Sequence, residues 1–106
     1  MIRIVKEMRV WDVDDPGTPI VLPFFPATAS CTRVEKDSEH GKHEEITVSA
    51  RLRWDVDREL LHRDLKMQLT FDNGDVVTVG TEDMPLRLDV TETDYVAVAG
   101  KYLRRL

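Results

Sequence analysis

The stretch "MQLTFDNGDVVTV" (67–79) constrains this chain most, because its alternation admits one strand register. Met67, Leu69 and Phe71 recur at every second position before Asp72-Asn73-Gly74, and Val77 and Val79 do so after it. Successive side chains of a strand point to opposite faces, so a slip of one residue turns a whole apolar row to solvent. A two-residue Asn73-Gly74 loop would pair Leu69 with Thr78 and send Val77 and Val79 to the opposite face. A three-residue loop, Asp72-Asn73-Gly74, pairs Leu69 with Val77 and Met67 with Val79, and all four share one face. That loop needs a left-handed residue at its bulge, which glycine supplies without a Cβ clash. The spacing therefore predicts a type I turn with a glycine bulge at Gly74.

The same period organises most of the chain. Ile2, Ile4, Met8 and Val10 make a first strand, with Lys6 breaking the series. Residues 12–26, "DVDDPGTPIVLPFFP", read as a Pro-rich loop or arm. Pro23 and Pro26 bar a central ladder strand and leave an edge or an extended packing segment. Residues 28–35 form a strand and 36–45 a charged hairpin tip. Ile46, Val48, Ala50, Leu52 and Trp54 then alternate with polar residues in the best-defined strand. At 56–66 the period changes: Asp55 or Asp57 caps a short helix, Glu59 faces its N-terminal dipole, and Leu60, Leu61 and Leu65 line its apolar side. Leu86, Leu88 and Val90 follow Pro85 in phase, and Val96, Val98 and Tyr102 mark the last strand. The sum is a single domain over 1–106, mainly β. It is an antiparallel β-sandwich or partly open β-barrel of about six or seven strands with one short inserted helix.

Charge and composition narrow the function classes. With 20 acidic against 15 basic residues, the net charge of −5 argues against a nucleic-acid binder, which needs a basic surplus to meet phosphate. No run approaches the roughly 18 apolar residues of a membrane span, and the start has no signal-peptide block. Cys31 is the single cysteine, so no intramolecular disulfide forms, and the chain reads as made and kept in the cytoplasm.

Several tempting sites lose to plainer readings. Asp12, Asp14 and Gly17 are spaced like a calcium loop, but Pro16 and Pro23 stand where ligand oxygens belong. His40, His43, Glu44 and Glu45, with His62, offer ligand atoms for a metal, yet a charged hairpin tip holds no rigid coordination geometry. Cys31 in a strand reads as a small buried hydrophobe rather than a nucleophile. Glu82 and Asp83 read as an exposed acidic turn. The expectation is no catalytic residue, no metal and no cofactor. Trp11, Phe24 and Phe25 are the candidate interface, since aromatics around a Pro-rich segment either pack on their own core or dock on a neighbour.

Over Leu60–Val90, about a third of the chain, a leucine-bearing helix and strand precede Asn73-Gly74. A valine-rich strand then ends in Gly80-Thr81, followed by two acids, Pro85 and Arg87-Leu88. This pattern resembles small prophage-encoded proteins found beside tail and head-to-tail structural genes. The resemblance implies a virion or assembly component without catalysis, working by subunit packing as a homo-oligomer or with other virion proteins. It supplies no functional residue. The alternative expectation is a small bacterial β-domain binding a peptide, glycan or partner protein.

Overall fold

In the computed structural model, which describes residues 2–25 and 27–106 (Ile2, Arg3 and Pro16 by backbone alone), the first strand belongs to two sheets. β1 (Ile2–Asp12) pairs through residues 2–4 with β3 (Ser30–Ser38) and through residues 5–12 with β5 (Leu65–Phe71), both antiparallel. Beyond β3 the larger sheet continues through β4 (Gly41–Leu52) and β8 (Val96–Arg105) to β7 (Leu88–Glu92). Beyond β5 the smaller sheet ends with β6 (Val76–Val79), and β2 (Asp15–Val21) lies along the later half of β1. The eight strands enclose one core as a partly open antiparallel barrel, as the alternation predicts, with one strand beyond the expected six or seven.

β1 crosses between sheets by changing phase at Lys6. Val5 faces Phe71 while Glu7 faces Thr70, so Lys6 is an extra residue, a β-bulge that bends the strand. Val5, Met8 and Val10 are consequently buried, whereas Ile4, expected in the inward row, is 61% exposed. The side chain of Ile2 lies outside the described residues.

The expected loop or arm is mostly an edge strand. Val10 faces Ile20, and Leu22 N donates to Met8 O at 2.9 Å. The chain then crosses to β4: Phe24 bridges Leu52, Phe25 N donates to Arg51 O and Arg53 N donates to Pro23 O, each at 2.9 Å. Pro23 thus serves through its carbonyl, where its missing N–H costs nothing. Pro26 lies outside the described residues.

Three further boundaries move. The charged tip expected at 36–45 is ordered ladder from Ser30↔Ser49 to Ser38↔Gly41, turned by Glu39 and His40 alone. Solvated charges on a hairpin hide the strand period there. β4 stops at Leu52, so Trp54, expected inward, is exposed under the Arg58 guanidinium, 4.8 Å from its ring. The helix α1 is one turn, Arg58–Leu61, rather than 56–66; Asp57 Oδ1 caps it, accepting from Glu59 N at 3.1 Å and Leu60 N at 3.3 Å. Leu60 and Leu61 are buried as expected, but Leu65 joins Met67, Leu69 and Phe71 in the inward row of β5. A leucine that satisfies both periods follows the strand, which offers it backbone partners on two sides.

The β5–β6 register is the predicted one: Leu69 pairs with Val77 and Met67 with Val79. Gly74 N donates to Phe71 O at 3.0 Å, Phe71 N donates to Asp75 O at 2.9 Å, and Gly74 has φ +89° while Asn73 has no positive φ. Gly80 does more. It sits at φ +96°, and a Cβ there would lie 2.4 Å from Leu65 O. That oxygen accepts from Leu86 N at 2.8 Å, while Leu65 N donates to Leu86 O at 2.9 Å, closing one side of the barrel. Gly80→Ala is expected to lower stability by roughly 2–4 kcal/mol, and Gly74→Ala, strained but in open space, by roughly 1 kcal/mol. Urea unfolding followed by circular dichroism checks the order; equal losses would show that the Leu65 contact constrains nothing.

Candidate functional site

The three aromatics singled out in the sequence do not form one patch. Trp11 lies on the outer face of β1, opposite Lys66, whose ammonium sits 5.6 Å from the indole centroid. Phe24 packs against the core beside Leu52. Phe25 is exposed and shares the Arg51 guanidinium with Tyr95, at 5.4 and 4.2 Å from the two ring centroids. That cation ties the 23–25 segment to β4 and to the start of β8, a structural role.

The acid and imidazole candidates are dispersed as well. Asp12 accepts from Arg63 Nη1 at 2.8 Å and from Asp14 N at 2.9 Å, and the Arg63 hydrogen bond, first among the causes, holds its carboxyl below the usual value. His40 is at the hairpin turn, His43 Nδ1 contacts Ser38 Oγ at 3.2 Å, and His62 ends α1. Cys31 is buried on the inner face of β3. Among the described residues no group of three or more His, Cys, Asp or Glu is placed to hold a metal ion, and no helix is long and apolar enough to cross a membrane.

A different place stands out, where the barrel fails to close. β8 pairs with β4 from Val96 to Arg105 but with β7 only from Val96 to Gly100. β6 is the last strand on its side of the sheet path. Between the later half of β8 and β6 runs a cleft of about 720 Å³, lined among others by Tyr102 and Arg104 on one side and Thr78, Glu82, Lys66 and Trp11 on the other. Arg104 reaches across it, donating from Nη1 to Thr78 O at 3.4 Å.

Glu44 holds the Arg104 guanidinium at this cleft. It stands on β4 in phase with Ile46, Val48, Ala50 and Leu52, so it faces inward and is only 7% exposed. Arg33 donates to it from Nε at 3.2 Å and from Nη2 at 3.0 Å, and Arg104 Nη2 donates from the other side. Burial pushes the Glu44 carboxyl up, but the hydrogen bonds from Arg33 and then Arg104 outweigh it, and the acid is held below its ordinary 4.5. Two guanidinium groups share one carboxylate, so the triad keeps a net positive charge. Sequence reading took Glu44 as a ligand-capable residue of the charged tip and missed its inward place. Carrying the β4 alternation back two residues from Ile46 places it inward.

Comparison of the chain with protein-family models, with curated proteins and with solved structures finds no match. Fold and surface therefore define the class: a small antiparallel β-domain with a charged, partly apolar seam.

Glu44→Gln keeps the shape and removes the charge. Its expected cost near neutral pH is roughly 1–2 kcal/mol, below that of a fully buried pair because both arginines are about a third exposed. A carboxyl held low in the folded state stabilises above its ordinary pKa, and that contribution is lost as pH falls through the folded value. Chemical unfolding across acid pH should therefore show wild type and E44Q converging below pH 4.5. A gap that persists unchanged into strong acid would place the loss outside the ionised triad.

Proposed function

We propose that this chain is a non-enzymatic structural or assembly protein of a phage or prophage particle, acting as a repeated subunit through packing. The direction toward a particle rests on the resemblance over Leu60–Val90. The observation that carries the packing role is the outer face of the larger sheet. Across β3, β4 and β8 one row reads Val34–Glu45–Leu103, with both apolar members about half exposed. The next rows are Thr32–Thr47–Lys101 and Ser30–Ser49–Ala99, and Ile4 pairs with Ser30 at the margin.

The face thus sets two half-exposed apolar side chains on either side of Glu45, with short Thr, Ser and Ala side chains in the rows beside them. Glu45 is neutralised within it by Lys36 at 2.7 Å and Lys101 at 3.1 Å, which lowers the cost of covering it. Five strands about 4.8 Å apart and roughly eight residues long span on the order of 600 Å², near the roughly 800 Å² per partner of a standard interface.

The competing reading, a β-domain binding a peptide, glycan or partner protein, is favoured by the cleft beside Trp11 and Lys66. Light scattering at micromolar and higher concentration separates the two. Assembly should give dimers or larger species that Val34→Glu with Leu103→Glu disperses without loss of folding. A strict monomer at every concentration, alone and with the products of adjacent genes, would sink the packing role. Absence of capsid, tail or tape-measure genes nearby would sink the particle assignment.

A further inference from the structure

We infer that the cleft between β6 and β8 is a binding site for a neutral oligosaccharide. The inference rests on the cleft itself and not on the packing role above, which uses the outer face of the larger sheet.

Unused hydrogen-bonding groups come first. Tyr102 stands on the inward row of β8 and is only 7% exposed, yet it lines the cleft. A tyrosine buried to this degree normally gives its O–H a partner. Here the hydroxyl bonds to no described residue and is not shut away from solvent, so its free side opens into the cleft. Trp11 lines the cleft from the smaller sheet, half-buried, and its indole N–H has no partner among the described residues either. Lys66 and Glu82, also lining residues, form no ion pair with any described residue.

Charge then narrows the ligand. The carboxylates of Asp12 and Glu82 line the cleft against the cations of Lys66 and Arg104, so the lining has no net charge. Asp12 already accepts from Arg63, and Arg104 already donates to Glu44. A phosphorylated or otherwise anionic ligand would lose at Glu82 what it gained at Lys66, and a cationic one the reverse. A ligand rich in hydroxyls and without charge suits both, because each hydroxyl donates and accepts.

Trp11 gives such a ligand its orientation. A pyranose ring has an apolar C–H face bounded by a rim of hydroxyls. An indole offers the matching apolar body with a polar tip. Lys66, whose ammonium is 5.6 Å from the indole centroid, sets a donor beside the ring. The cleft, about 720 Å³, lies within the roughly 300–1,000 Å³ of small-ligand sites.

An extended peptide is the other neutral occupant, and it would add along the edge of β6. Thr78 O on that edge already accepts from Arg104 at 3.4 Å, and Glu44 holds the same guanidinium. A strand would have to displace it, whereas a saccharide needs no free backbone edge.

The test is isothermal titration calorimetry with cellotetraose, maltotetraose and the tetramer of N-acetylglucosamine. At least one should bind saturably, with Kd below about 1 mM. The acidic tetragalacturonate and the basic glucosamine tetramer should each bind several-fold more weakly. Trp11→Ala should weaken binding about tenfold or more, and Tyr102→Phe, which removes one hydroxyl, about fivefold. Trp54→Phe, outside the cleft, should leave it unchanged. Circular dichroism checks folding, and Y102F carries the test if W11A is not folded. The inference is overturned if none of the three neutral probes binds, or if a charged tetramer binds as tightly. Wild-type affinity in folded W11A or in Y102F overturns it too. So does tight binding of the strand peptide Thr-Val-Ser-Val-Thr-Val-Ser that no saccharide displaces, since a peptide would then be the occupant.

Discussion

Everything in this barrel depends on β1 pairing with two different sheets. Its first residues extend the larger sheet beside β3, and the rest form the centre of the smaller one between β2 and β5. A continuous strand can do this only if its inward row changes parity, and the bulge at Lys6 makes the change. Without it, either Val5 or the pair Met8 and Val10 would face solvent, against a hydrophobic return of about 1.5–3 kcal/mol for each large side chain buried. The two sheets could not then share a core.

The closures elsewhere follow from this bend. Leu65 and Leu86 exchange hydrogen bonds on one side, and the Phe24–Leu52 bridge joins the sheets on the other. Between β6 and β8 no strand is available, and charged side chains do what backbone pairing does elsewhere. Arg104 links Glu44, and through it Arg33, to the edge of β6. The seam is thus a part of the barrel wall made of side chains, which is why polar groups converge there.

Periodicity was legible in the sequence wherever one face meets the core and the other meets water. The inward rows of β5, β6 and β8 stand as read, that of β4 does so from Ile46 to Leu52, and the Asp72–Gly74 turn follows from register alone. The misreadings share a cause: local chemistry concealed the period. Ile4 sits before a bulge that no composition announces. Glu44 is a charge on the inward row, compensated by Arg33 and Arg104 that are far from it in sequence. Leu65 satisfied helix and strand periods together, and tertiary pairing with Asp12 and Leu86 decided it. The cleft was illegible for a further reason. It is defined by where β7 stops, and a gap between strands leaves no mark on any one of them.

The dual membership of β1 has a kinetic side. The hairpins β1–β2, β3–β4, β5–β6 and β7–β8 are joined by short connections and can zip locally, but β1 meets β5 only after the intervening strands have been made. Until β5 is made, the edge of β1 turned away from β2 stays open, with Lys6 and several other charged residues among its apolar ones. Those interruptions mark the bulge in the finished barrel, and during the wait they also break up a sticky ribbon that would otherwise invite the wrong partner.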